Sequence, residues 1–115
     1  DLLADARRSA AEGSFADALE MAYRASLRAA GARVAASTVS RRRRLPTSAW
    51  EQVALIGLAD AQWAEEFKEY SRVRSRVASG LDPVPEPDSV YQYLALAARY
   101  VDATESELGF GVMAA

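Results

Sequence analysis

The chain contains no cysteine and no histidine. The first absence excludes disulfides and thiolate metal sites. The second removes the usual metal ligand and the commonest general base, so no serine here has its ordinary activating partner. Lysine is nearly missing: Lys68 is the only one, and arginine supplies the rest of the 14 basic residues. Glycine-rich phosphate loops are absent, and no cofactor is implied. The longest apolar run falls well short of the roughly 20 residues that cross a bilayer, and no signal-peptide pattern is visible. The domain therefore reads as cytoplasmic. The numbering starts at Asp1 and not at a methionine, so an N-terminal piece is expected to precede it.

What is present describes one ordinary globular domain. The 115 residues are 50% hydrophobic and 26% charged, enough for a single core. The net charge of −2 conceals an asymmetry. Residues 1–47 carry nine arginines against five acids, and residues 48–115 carry five basic residues against eleven acids. Such a domain either presents its basic half to an anion or an acidic partner, or simply solvates its helix faces.

Short alternating β-branched runs are missing, while alanine, leucine and arginine favour helix. The pattern predicts an all-α, antiparallel bundle of about five helices. The first covers residues 2–12 and ends at Gly13 as a left-handed cap. The second covers residues 14–37, with Phe15, Leu19, Ala22, Leu27, Ala30 and Val34 as its stripe and Gly31 permitting close packing. Residues 38–47 read as a loop. The third helix begins at Ser48, which has capping-box spacing to Glu51, and turns Trp50, Val53 and Ala54 inward. Asp60 is the expected N-cap of the fourth helix, residues 61–79, where Trp63, Phe67, Tyr70, Val73 and Val77 follow helical spacing. Gly80 and three prolines then mark a stiff connection. The last helix covers residues 88–108 and ends at Gly109, and the tail beyond is expected to be loose. Gly13-Ser14-Phe15, Ala18-Leu19 and Ala25 have the spacing of a tetratricopeptide hairpin, but the pattern does not recur one 34-residue period later.

The sharpest chemical feature is the run Arg41, Arg42, Arg43, Arg44. Guanidinium forks match phosphate geometry, so the run could hold RNA, DNA or a nucleotide phosphate. Trp50 lies just beyond and could offer a stacking face. Equally, the run could dock on the acidic half of the domain or on a partner protein. The acidic net charge argues against strong non-specific DNA binding. Arg24, Arg28 and Arg33 could extend the run into a basic stripe, or could pair with Glu20 and a neighbouring helix. Glu65, Glu66 and Glu69 lack the histidine of the Glu-x-x-His bundle motif, so no metal site is expected. Tyr91, Tyr93 and Tyr100 cannot all share one side of the last helix, which leaves aromatic surface for a homodimer or partner interface.

Leu2-Leu3-Ala4-Asp5-Ala6-Arg7-Arg8, Ser26-Leu27-Arg28-Ala29-Ala30, the arginine run leading to Ser48-Ala49-Trp50-Glu51, and Trp63-Ala64-Glu65-Glu66-Phe67 occur in this order. In this the chain resembles the small actinobacterial branch of the HEPN (higher eukaryotes and prokaryotes nucleotide-binding) superfamily. The resemblance covers residues 2 to about 80. It implies an antiparallel, often dimeric helical bundle in an RNA or nucleotide context. The family's ribonucleases use an arginine followed four to six residues later by a histidine on a late helix. This chain has Arg99 on that helix and no histidine, so the resemblance implies a non-catalytic binding or regulatory member. The candidate contacts are Arg41, Arg42, Arg43, Arg44, Arg28 and Trp50. The alternative is a purely structural protein–protein interaction domain. A residual nuclease would have to use Glu66 or Arg99.

Overall fold

The computed structural model of the chain describes residues 1–109, and the expected loose tail lies outside the described residues. Five α-helices follow one another: α1 (Leu2–Ala11), α2 (Phe15–Ala35), α3 (Ala49–Ala54), α4 (Leu58–Ala78) and α5 (Pro87–Leu108), with a 3-10 turn at Thr38–Arg41 between α2 and α3. No strand occurs among the described residues. The all-α architecture is the one the helical periodicity predicts.

Helix α2 runs through the centre. Its small residues Ala18, Ala22, Ala25 and Ala29 are buried, and α1 and α5 pack closely on it. Alanine permits this because it keeps neighbouring backbones close and loses no rotamer freedom. Helix α1 starts where the Asp1 carboxylate accepts from the amides of Leu3 and Ala4, at 2.8 and 3.3 Å. It stops at Gly13, whose φ of 83° lies in the left-handed region. The amide of Ser14 closes that turn onto the Ser9 carbonyl, as helix ends with a left-handed glycine do.

On the other side of α2 the core is aromatic. Helices α4 and α5 are held apart, and rings fill the space between them. Phe67 and Trp63 of α4 reach Tyr100 of α5 at centroid separations of 4.7 and 5.0 Å, and Tyr70 reaches Tyr93 at 4.6 Å. Tyr70 is fully buried and donates to the Leu19 carbonyl at 2.6 Å. Burial raises the pKa of the Tyr70 phenol well above its ordinary range, because the phenolate would lose its hydration. The expected core position of Phe67 and Tyr70 holds, whereas Trp63, Val73 and Val77 are half-buried at the rim.

Three local expectations are corrected. Helix α4 begins at Leu58 and not after Asp60; Gly57 occupies the N-cap with no side-chain hydrogen bond. Asp60 therefore lies in the first turn, where its carboxylate turns to Arg33 on α2. The segment expected as a plain loop contains the 3-10 turn, held by the buried Val39 and by the Ser37 hydroxyl accepting from the Val39 amide. Gly31 is exposed, and a Cβ placed there would meet nothing within 4 Å, so it is no packing contact. Its hydrogen side chain serves only to loosen the helix. Gly31→Ala is expected to raise stability by about 0.8–1 kcal/mol, the difference in helix propensity. Urea unfolding checks this, and a loss of stability would show that the position carries a packing role after all.

The connection from α4 to α5 is pinned, as its prolines predict. The amides of Leu81 and Asp82 both donate to the Arg76 carbonyl, Gly80 takes a φ of 76°, and the Arg76 guanidinium meets the Asp82 carboxylate at 2.7 Å. Pro87 then occupies the first turn of α5, where its missing amide costs no hydrogen bond.

Candidate functional site

The arginine run leaves α2 through the 3-10 turn. Arg41 ends that turn, and the Arg42 amide returns to the Val39 carbonyl at 3.0 Å. Arg42 is extended, and the chain bends at Arg43 and Arg44. The four guanidinium groups of Arg41, Arg42, Arg43 and Arg44 are all exposed. None of them forms an ion pair among the described residues, and neither do Arg7, Arg28 and Arg99, whereas Arg8, Arg24, Arg33, Arg72, Arg74 and Arg76 do. The run is thus not docked on the acidic half of its own domain. It is anchored on both sides: Val39 is buried before it, and after it the Gln52 side-chain amide of α3 donates to the Pro46 carbonyl at 2.7 Å. Ser48 then caps α3, accepting from the Glu51 amide at 3.4 Å.

The other candidate contacts are not brought to the same place. Trp50 as a stacking face is corrected: its side chain is only 2% exposed. Its indole stacks on Phe67, with centroids 4.4 Å apart and planes 8° from parallel, and its Nε1 donates to the Tyr23 hydroxyl at 2.9 Å. A short helix needs a large apolar anchor, and the indole of Trp50 is that anchor for α3. Arg28 is exposed but opens on a different groove of about 420 Å³ between α1, α2 and α5, beside Arg7 and the acidic Asp102 and Glu105. Arg24 pairs with Glu20 at 3.0 Å, one helical turn away. No continuous basic stripe along α2 results.

Arg33 breaks the expected stripe most completely. It is 6% exposed, and its guanidinium ties three helices together. Nε donates to the Thr104 hydroxyl at 2.6 Å, and Nη1 lies 3.0 Å from Asp60 and 2.6 Å from Glu107. The group also sits over the Tyr100 ring, 4.9 Å from its centroid. Arg33 Nη2 and the Tyr100 hydroxyl are buried without a hydrogen-bond partner among the described residues. Burial raises the Tyr100 pKa, while the nearby Arg33 charge works against that rise. Sequence reasoning placed Arg33 with the surface arginines. The available signal was its position, since Leu19, Ala22, Ser26, Ala29 and Arg33 follow one another at helical spacing on one face of α2.

A second ion-pair node was half foreseen. Glu20 receives Arg24 as expected, and also the fork of Arg74 from α4 at 2.8 and 2.9 Å. The hydrogen bond from Arg74 holds the Glu20 carboxyl below its ordinary range. Arg74 also lies over the Tyr23 ring at 5.2 Å. These contacts fasten α4 across α2 and leave no carboxylate unpartnered for acid–base work at this node.

Glu66 and Arg99, on which a residual nuclease would depend, line one groove of about 560 Å³ between α4 and α5, together with Glu69, Gln92 and Tyr93. A carboxylate and a guanidinium do not ordinarily exchange protons near neutrality, whereas the histidine of the ribonuclease motif would. Of the three late tyrosines, Tyr100 is buried, Tyr93 half-buried and Tyr91 exposed. Tyr91 rests edge-on against Phe15 at the start of α2, with centroids 6.1 Å apart.

No grouping of three or more acidic residues suited to hold a metal ion occurs among the described residues. No helix among them is long and apolar enough to cross a membrane. In comparison with known proteins, the family model described as HEPN_SAV_6107-like HEPN matches residues 6–105. The match extends past residue 80, where the resemblance read from the sequence had stopped, and takes in most of α5. Neither a curated protein nor a solved structure matches the chain.

Proposed function

The chain belongs to the SAV_6107-like HEPN family, and from that premise we propose that it is a non-enzymatic binding module that engages a polyanion through residues 41–44. The observation that carries this reading is the state of the four arginines: exposed, consecutive, and unpaired among the described residues. Arg7, Arg28 and Arg99 are also exposed without an ion pair among the described residues, but each stands alone along the chain, whereas here four such cations are consecutive. The anchors at Val39 and Pro46 fix both ends of the segment, so less chain entropy is lost when it binds. The non-catalytic part of the reading rests on chemistry. The chain has no histidine, and the groove that Glu66 and Arg99 line therefore lacks the general base of the ribonuclease motif.

The test is fluorescence anisotropy with a labelled single-stranded RNA. Each phosphate contact adds about 0.7 to the slope of log affinity against log salt, so four contacts weaken binding roughly 50-fold between about 50 and 200 mM salt. Replacement of Arg41, Arg42, Arg43 and Arg44 by alanine should abolish the low-salt binding. The far-ultraviolet circular dichroism should be unchanged, since none of the four packs on the core. Salt-independent binding, or binding that survives the four replacements, would overturn the reading.

A further inference from the structure

We infer that the partner held by the arginine run is an acidic, amphipathic helix of another protein, whose apolar edge settles on Leu45, Leu55 and Leu58. This rests on the reading of residues 41–44 as the contact for a polyanion and names which polyanion it is. The three leucines are among the few large hydrophobic side chains that remain exposed among the described residues, at 40%, 38% and 80%. They follow the run along the chain, from its end to the start of α4. Leu45 follows Arg44 directly and precedes Pro46, whose carbonyl is bonded to Gln52. Leu55, the C-cap of α3, stands three residues beyond Gln52. Leu58 is three residues further, so its Cα lies no more than about 11 Å from that of Leu55. Four exposed cations are therefore followed within 14 residues by three exposed leucines, the first joined to Arg44 and the second tied to the same segment through the Gln52–Pro46 hydrogen bond.

That pairing of charge and apolar surface discriminates between polyanions. Single-stranded nucleic acid is held by cations together with exposed rings on which bases stack. Beside this run the nearest indole, Trp50, is buried under Tyr23 and Phe67. The one exposed aromatic ring among the described residues, Tyr91, packs at the start of α2, separated from the run by the length of that helix, about 30 Å. Aliphatic leucines give a base no stacking face, but they match leucine or valine on a helix. An extended peptide is disfavoured as well, because the described residues form no strand and offer no sheet edge to add to. A helix brings its own backbone hydrogen bonds and can set carboxylates beside an apolar stripe at three- and four-residue spacing. It is also short. A long nucleic acid leaving the run would meet the half of the domain that carries eleven acids against five basic residues, whereas a helix of a few turns would not.

The experiment uses three probes in one titration: a labelled amphipathic peptide of about 20 residues with glutamates flanking a leucine stripe, the same peptide with its leucines replaced by glutamine, and a single-stranded RNA of equal charge. The proteins are the parent chain, the four-alanine arginine variant, a Leu45→Gln, Leu55→Gln, Leu58→Gln variant, and Leu58→Gln alone. Leu58 is so exposed that its single variant keeps the fold even if the triple does not. The parent should bind the leucine peptide tightest. The leucine variants should weaken that peptide, the triple by about tenfold or more, because affinity follows the apolar area withdrawn from water. They should leave RNA binding unchanged, while the arginine variant weakens every probe. If RNA binds as tightly as the peptide, or if peptide binding ignores the leucines, the helix partner is overturned and the polyanion reading stands. If no probe binds the folded parent at low salt, the polyanion reading itself is overturned, and the helix partner with it.

Discussion

Replacement of Arg33 by methionine should lower the unfolding free energy by about 3–5 kcal/mol, the range for removing one partner from a buried ion pair. Methionine fills much of the volume, so the loss is not mainly a cavity effect. It comes from what is left behind. Asp60 is only 14% exposed and faces Arg33 at 3.0 Å; without the cation its carboxylate keeps the desolvation cost and loses the compensating charge. Thr104 loses a donor at 2.6 Å, and Tyr100 loses the cation above its ring. Glu107 matters less, because at 57% exposure it is hydrated in either case. Arg33→Lys should recover only part of the loss, since a single ammonium cannot serve Thr104, Asp60 and Glu107 with the geometry of a planar fork. Combining Arg33→Met with Asp60→Leu should restore most of the stability, because a buried pair replaced by apolar groups is often neutral or better. Urea unfolding of the four proteins decides the matter. A loss under about 1 kcal/mol for Arg33→Met, the scale of an exposed pair, would mean that the cluster is hydrated and does not fasten α2 to α4 and α5.

The same residue marks the limit of what the sequence discloses. Helical periodicity places all five helices, and the local signals at Gly13, Ser48, Gly80 and Gly109 place most of their ends, because a cap is decided by residues within one turn of it. The start of α4 is misplaced by three residues because Asp60 satisfies the local rule for an N-cap while a distant guanidinium, 27 positions away in sequence, claims its carboxylate. Trp50 shows the same competition. Proximity to four arginines suggests a ligand face, yet Tyr23 and Phe67, each distant in sequence, enclose it. The arginine run was legible as a feature, since residue type alone sets its charge. Its freedom from ion pairs was not, because that depends on where every carboxylate of the fold comes to rest. The leucines beside it escaped notice because an isolated leucine in a sequence is assigned to the core by default.

Trp50→Ala should cost about 3–5 kcal/mol, the range for emptying a large aromatic from a core, and should weaken polyanion binding in the folded molecules only through the added ordering entropy of a segment that has lost its anchor. Helix α3 has six residues, too few to persist in water by propensity. What holds it is the indole of Trp50, stacked on Phe67 and donating to Tyr23, with Val53 beside it. Removing the ring frees α3, and with it the Gln52 anchor of the arginine segment. Trp50→Phe keeps most of the stacking but leaves the Tyr23 hydroxyl without its donor, so a smaller loss of about 1–3 kcal/mol is expected. Fluorescence separates this from a ligand-stacking role. In a Trp63→Phe background Trp50 is the sole tryptophan. A buried indole should emit at short wavelength and should not respond when RNA or acidic peptide is added. Quenching by RNA, together with loss of RNA binding in a Trp50→Ala protein as stable as its parent, would return Trp50 to the ligand. It would also remove the main physical reason for preferring a protein helix over a nucleic acid at this surface.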